Sequence, residues 1–209
     1  MIGTGASSAS SRSLSVVAAV VVIALAAVLA VAISSSEVSA RSTSGEPITG
    51  QPVHDRDSVE AYALSMDSSG YLLEAIPYYY ELAPEAGIRP DVLVAQAIVE
   101  TANGYYGGDS RPYNMAGIKK GGDVGDAPSD FERPQSAYEG VRMHVNHMAA
   151  YTGMEPVGAP HERFHDARAA QQYRGYWITN VEQLGAGTWA TDSSYSPKIT
   201  EHLQAMESY

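Results

Sequence analysis

The chain contains no cysteine, which excludes disulfide cross-links and thiolate catalysis and leaves stability to the packed core alone. Basic residues are also few: 13 Lys and Arg stand against 24 Asp and Glu, a net charge of −11. Such a surface lacks the basic footprint that nucleic-acid phosphates require, and it gives no help with other anionic polymers. A neutral glycan suits it better. Phe and Trp are scarce, two of each, whereas Tyr occurs 14 times. Tyr joins an apolar ring to a hydrogen-bonding tip, which serves a sugar-binding cleft or, equally, a Tyr-preferring core.

What the chain has in excess near its start is apolar length. Residues 14–33 (LSVVAAVVVIALAAVLAVAI) are twenty uncharged residues in a row, and about 20 suffice to cross the hydrocarbon core of a bilayer as a helix. No polar face interrupts them, which argues against a buried core helix. A Ser-rich stretch with the single basic residue Arg12 precedes the run, and Val38-Ser39-Ala40 has the small-residue pattern of a signal-peptidase site. Residues 1–40 therefore read either as a cleaved signal peptide or as an uncleaved anchor. Both place the remainder outside the membrane, secreted or held at the cell surface, with membrane contact only through this segment. Losing the leader removes Arg12 and Glu37 together, so the acidic balance persists. Residues 41–55, rich in Ser, Gly, Pro and Thr, read as a flexible linker, and residues 56–209 suffice for one hydrophobic core.

The remaining pattern is helical, with turn-rich joints and no internal repeat. Residues 58–66 have helix-forming composition with Asp57 as a cap, and 71–87 continue in that style, although Pro77 and Pro84 should break or kink them. Pro90 and Asp91 suit the first turn of a helix that runs through DVLVAQAIVE and stops at Asn103-Gly104. Residues 105–130 are Gly-rich and irregular, with room for a short hairpin. Ser136 caps 137–151 and Gly153 closes it, while Val141, Val145, Met148 and Tyr151 recur at helical spacing toward the core. Helices over 161–173 and 197–206, with a short turn after Asn180, complete an α-dominated domain with a minor β element.

Glu100 is the conspicuous residue. It closes an apolar run, and a carboxylate at a helix C-terminus meets the negative end of the helix dipole. That dipole and partial burial both disfavour ionisation and raise the pKa. A carboxyl kept protonated near neutral pH is what protonation of a glycosidic leaving oxygen requires. Gln96 lies one turn back on the same face, where it orients the acid or lines the cleft. Tyr105 and Tyr106, just beyond, are candidates for sugar stacking.

The stretch AQAIVETANGYYGGDSRPYNMAGIKK resembles the glucosaminidase domain of glycoside hydrolase family 73. There an Ala-Gln-rich helix ends in the catalytic Glu, followed by a Gly-rich turn and Tyr-Asn-x-x-Gly-Ile-Lys. Ala95, Gln96, Glu100, Gly104, Tyr113, Asn114, Gly117, Ile118 and Lys119 fill those places. Phe131, Ser136, Glu139, Gly140 and His144 resemble the family's next block, and TWATDSSYSPKI, with Trp189, Asp192, Tyr195 and Lys198, resembles its last. The resemblance implies a lysozyme-like α+β fold, predominantly α, with a cleft for a β-1,4 glycan. It also implies cleavage between N-acetylglucosamine and N-acetylmuramic acid of peptidoglycan, with Glu100 as general acid. Gln96, Tyr105, Tyr113, Asn114, Trp189, Asp192 and Tyr195 are the expected substrate-binding residues.

Two departures stand out. The family's hairpin after Gly-Ile-Lys often carries a second acid, but only Asp123, Asp126 and Asp130 lie between Lys119 and Phe131. The tyrosine of the family's Tyr-Ala-Thr-Asp is Trp189, a ring able to stack on sugar but without a hydroxyl. Inversion needs a base about 6.5–9.5 Å from the acid and retention a nucleophile about 5–5.5 Å away. Asp126 or Asp130 is the carboxylate for either role, and a third route uses the substrate's own N-acetyl group. His144 and His147, three apart, and His161 and His165, four apart, have metal-compatible spacing, but no third ligand is signalled; no metal or cofactor is expected. A muramidase or lytic transglycosylase on the same polymer, or a wall-binding module without catalysis, are the competing readings.

Overall fold

In the computed structural model, which describes residues 45–106, 111–122, 124–185 and 187–209, helix starts follow capping chemistry. Asp55, rather than Asp57, accepts the Ser58 N–H at 2.9 Å and opens α1 (Arg56–Ser65). Ser69 opens α2 (Gly70–Leu82). Pro90 begins α3 (Pro90–Thr101). Ser136 accepts the Glu139 N–H and opens α4 (Ala137–Thr152), which ends on Gly153 at φ 77°. Two further helices follow, α5 (Glu162–Arg174) and α6 (Tyr195–Met206), with a 3-10 turn at Val181–Leu184 between them.

The expected break at Pro77 does not occur, because α2 runs through it. A proline inside a helix costs roughly 3 kcal/mol, while each large apolar side chain buried contributes about 1.5–3 kcal/mol. Leu72, Ile76 and Tyr79 are wholly buried on this helix, so packing outweighs the proline. Pro84 does interrupt: it starts the 3-10 turn Pro84–Ala86, closed by Gly87 at φ 68°.

Helix α3 runs through the centre of the core, with every residue from Pro90 to Ile98 buried. It packs against α2 and α6, while α4 packs against α2 and α5. The helical predominance matches the sequence reading; the β component shrinks, among the described residues, to three isolated bridges, Pro47–Asn180, Thr49–Ile88 and Lys119–Phe131. The last stands where a hairpin was expected, but the intervening segment is rich in Gly, Asp and Pro, which are poor strand formers.

Part of the linker reading needs correction. Ile48 is fully buried, its N–H donates to Thr179 O and its carbonyl accepts the Arg89 N–H. The buried Asp91 carboxylate accepts the N–H groups of Val53 and His54 at 3.0 and 3.3 Å. Arg89, also buried, donates to Asp91 at 2.7 Å and to Glu46. Ile48, the Arg89–Glu46 pair and the Asp91 carboxylate thus bind residues 46–55 to the domain, whatever their turn-rich composition suggests. The apolar run 14–33 lies outside the described residues; among the described ones no helix is long and apolar enough to cross a membrane.

Two glycines set the site's loops. A Cβ on Gly104, at φ 81°, would lie 2.2 Å from Ser69 Oγ, and one on Gly140 would lie 1.8 Å from Tyr113 O. The second lets the loop over 111–118 rest directly on α4. Replacing Ile48 by Ala should lower unfolding free energy by about 2–5 kcal/mol, measured by urea denaturation. An unchanged midpoint would mean that residues 46–55 are a free tether after all.

Candidate active site

Helix α3 ends abruptly because Ala102 turns left-handed at φ 48°. Thr101 Oγ1 donates to Ala97 O at 2.6 Å and accepts the Gly104 N–H at 2.8 Å. This locked end holds Glu100, the last acidic residue of the helix, at the head of a pocket of about 280 Å³. Its Oε1 accepts two hydrogen bonds, from Trp189 Nε1 at 2.7 Å and from the Tyr195 hydroxyl at 2.5 Å. Its Oε2 faces Gly117, 3.7 Å from where a Cβ there would stand.

Behind the acid runs a buried polar chain. Gln96 Nε2 donates to the Tyr195 hydroxyl at 2.8 Å, and Gln96 Oε1 meets His144 Nε2 at 3.0 Å. His144 Nδ1 meets the Tyr79 hydroxyl at 2.7 Å. An amide oxygen only accepts, so His144 carries its proton on Nε2 and accepts from Tyr79 on Nδ1. Every bond then points the same way, from Tyr79 to Glu100. Gln96 and His144 are completely buried, so this chain orients the acid from inside the core.

Burial pushes the Glu100 carboxyl above its ordinary value, while the hydrogen bonds from Tyr195 and Trp189 pull the other way without cancelling it. The C-terminal end of the α3 dipole adds to the rise. Burial also drives the Tyr195 hydroxyl far up, helped by the negative charge of Glu100, so it stays a donor. The same cause takes His144 down to about 3.

The pocket wall includes Ala116, Gly117, Lys119, His147, Tyr151, Arg163 and Trp189, and Glu100 is its one carboxylate among the described residues. Lys119 pairs with Asp126 at 2.5 Å, and Arg163 donates to Gly122 O at 3.0 Å. His147 Nδ1 lies 3.2 Å from His161 Nε2. Burial holds His147 well below its ordinary value and takes His161 to about 4, so both imidazoles are neutral near pH 7. Among the described residues no group of three or more His, Cys, Asp or Glu side chains is arranged to hold a metal.

The residues singled out in the sequence divide clearly. Glu100 and Trp189 stand in the pocket wall, and Gln96 and Tyr195 stand behind the carboxyl rather than in that wall. Trp189 does more than present a ring: its indole N–H donates to Glu100. Asn114 is buried and closes its loop, accepting the Ile118 N–H and donating to the carbonyls of Ile118 and Glu132. Tyr113, at φ 65°, packs edge-on against Tyr71 at 5.3 Å. Tyr105 is exposed and donates to Asp67 O at 2.8 Å. Neither tyrosine lines the Glu100 pocket.

The three aspartates also stand apart from the acid. Asp192 accepts from Ser194 and Lys198 at the start of α6, held at about 2 by the Ser194 hydrogen bonds and then by Lys198. Asp126 is mostly exposed and reaches the pocket only through Lys119. The Asp130 carboxylate accepts the Ala127 N–H at 2.9 Å. The expectation that Asp126 or Asp130 partners Glu100 thus meets two carboxylates already engaged elsewhere. Asp123, Gly107 and Gly108 lie outside the described residues.

Three wall residues were not anticipated as such. Tyr151 has core spacing, His147 reads as a metal candidate, and Arg163 lies on α5 with no local motif to mark it. Only the packing of α4 against α5 brings them beside Glu100.

A shielded carboxyl group, fixed through one oxygen and facing a pocket through the other, is the arrangement by which glycoside hydrolases protonate a leaving oxygen. The glucosaminidase family model, described as mannosyl-glycoprotein endo-beta-N-acetylglucosaminidase, matches residues 76–208, and the chain belongs to that family. No curated protein and no solved structure gave a match.

A histidine held neutral by burial lowers stability in acid. The unfolded chain takes up a proton near pH 6.5 and the folded one only near 3, so stability is full above 6.5 and is lost as pH falls through that window. At pH 5 His144 alone should cost roughly 2 kcal/mol, seen as a falling melting temperature between pH 7 and 5. Its C2–H resonance should stay unshifted over the same range. Titration near 6.5 in the folded protein would contradict the buried chain.

Proposed function

We propose that the protein is an endo-β-N-acetylglucosaminidase that hydrolyses β-1,4 links in the glycan strands of peptidoglycan, with Glu100 as general acid. The observation that carries this reading is the asymmetry of the Glu100 carboxyl, with both donors on Oε1 and Oε2 facing the pocket. The proton therefore sits on Oε2, where it is delivered to the glycosidic oxygen as the bond to C1 breaks. The carboxylate that results is the form Trp189 and Tyr195 stabilise.

The second group is the substrate's own. With Asp126 tied to Lys119 and Asp130 to Ala127 N–H, the acetamido oxygen of the N-acetylglucosamine unit attacks C1 as the leaving oxygen takes the Glu100 proton. Water then opens the cyclic intermediate, and Glu100, now a carboxylate, accepts a proton from that water. Lys119 and Arg163 in the pocket wall favour peptidoglycan over a neutral oligosaccharide, since muramic acid and its peptides bring carboxylates. The apolar run at residues 14–33 supports placement outside the membrane, as a secreted or anchored enzyme.

The test is mass spectrometry of digested peptidoglycan, wild type beside Glu100→Gln. Wild type should release fragments with reducing N-acetylglucosamine ends, and the variant should lose about two orders of magnitude or more in rate. Muramic acid or anhydro-muramic acid ends would replace this reading by a muramidase or a lytic transglycosylase, and binding without release would leave a wall-binding module. Equal activity of the variant would remove Glu100 from the chemistry.

A further inference from the structure

A larger pocket, about 570 Å³, opens away from the acid, between the turn that joins α1 to α2 and the exit of α3. Its wall includes Ser68, Tyr71, Glu74, Tyr105 and Tyr106. Tyr105 and Tyr71 are 61% and 42% exposed and stand together in this one wall. Neither ring is loose. The Tyr105 hydroxyl donates to Asp67 O, and Tyr71 packs edge-on against Tyr106 at 5.5 Å and Tyr113 at 5.3 Å.

The backbone here is held in a costly form. The non-glycine residues with positive φ among those described are Asp67, Ala102, Asn103, Tyr106 and Tyr113, and all belong to this corner or to the loop bonded to it. Such conformations persist where surrounding contacts fix them, and they cluster at ligand sites. Ser68 is 8% exposed and its hydroxyl has no hydrogen-bond partner, whereas buried hydroxyls are normally satisfied.

We propose that this pocket is a second carbohydrate-binding site, which takes a neutral N-acetylhexosamine unit of a β-1,4 glycan. The fixed tyrosine rings offer apolar faces for the C–H side of a pyranose. The Glu74 carboxylate supplies an acceptor for the sugar's polar groups. Among the described residues no Lys or Arg stands in the wall, so an anionic ligand finds no counter-charge there, in contrast to the pocket at Glu100. The choice of a hexosamine among neutral polyols rests on the function proposed above. The two pockets are mechanically joined: the Tyr106 hydroxyl donates to Met115 Sδ at 3.4 Å and accepts the Tyr113 N–H at 3.1 Å. The same loop supplies Ala116 and Gly117 to the acid pocket. A glycan held here keeps a long polymer attached between cuts.

The probe is chitotetraose, titrated into the isotopically labelled full chain carrying Glu100→Gln so that it is not consumed. Amide resonances of Ser68, Gly70 and Tyr105 should shift with their own saturation curve, separate from that of Gly117 and Ile118. Tyr105→Ala, at an exposed ring, should weaken the first curve at least tenfold and leave the second in place, while Tyr105→Trp should retain both. Shifts confined to Gly117 and Ile118 would overturn the second site and leave the proposed function standing. Shifts at Ser68 and Tyr105, with no cleavage of peptidoglycan by wild type, would support the site while the proposed function falls. An equal response to maltotetraose would overturn its assignment to N-acetylhexosamine.

Discussion

The site depends on one oxygen atom. Glu100 Oε1 receives hydrogen bonds from Trp189 and Tyr195, residues that follow it by 89 and 95 positions in the chain. Their convergence ties the exit of α3 to the start of α6. Tyr195 is in turn held by Gln96, Gln96 by His144, and His144 by Tyr79, so α2, α3, α4 and α6 all contribute to one carboxyl group. Once Glu100 is ionised these bonds become charge-assisted and stronger than neutral ones, and a buried network is worth most when every member is satisfied. The acid is therefore part of the core's polar wiring as well as of the pocket.

That arrangement sets two opposing demands on Glu100. Burial and the helix end favour the protonated form, whereas two donors on Oε1 favour the carboxylate. The structure divides the demands between oxygens, leaving Oε2 free toward the pocket. Around it the electrostatics differ from those of the whole chain. The protein is strongly acidic, yet the pocket wall carries Lys119, Arg163 and the neutral imidazole of His147, with His161, also neutral, behind it. Neutral histidines matter here, because a charged one beside Glu100 would lower its pKa and counter the effect of burial.

Glu100 and Gln96 stood out in the sequence for a local reason: a lone carboxylate closing an apolar helix is an electrostatic anomaly, and Gln96 shares its face by simple periodicity. Trp189 and Tyr195 were found only through the ordered family blocks, since nothing local links them to Glu100. Arg163, His147 and Tyr151 became wall residues only through the packing of α4 on α5, which no motif encodes. Composition misread residues 46–55, because a single Ile48 and the Asp91 carboxylate outweigh the Ser, Gly and Pro around them. Pro77 does not break α2 for a related reason, since burial there exceeds the local cost. Local signals served where the chemistry is local and failed where tertiary packing decides.

The central claim is that Glu100 holds its proton more tightly than an ordinary glutamate while two donors grip Oε1. The most direct measurement is its carboxyl 13C shift followed against pH in the folded full chain, in wild type and in Trp189→Phe. The account predicts a midpoint above the ordinary 4.5 in the wild type and a higher one still in the variant, which loses a donor to the carboxylate. A wild-type midpoint at or below 4.5, or no change on removing the indole N–H, would contradict it.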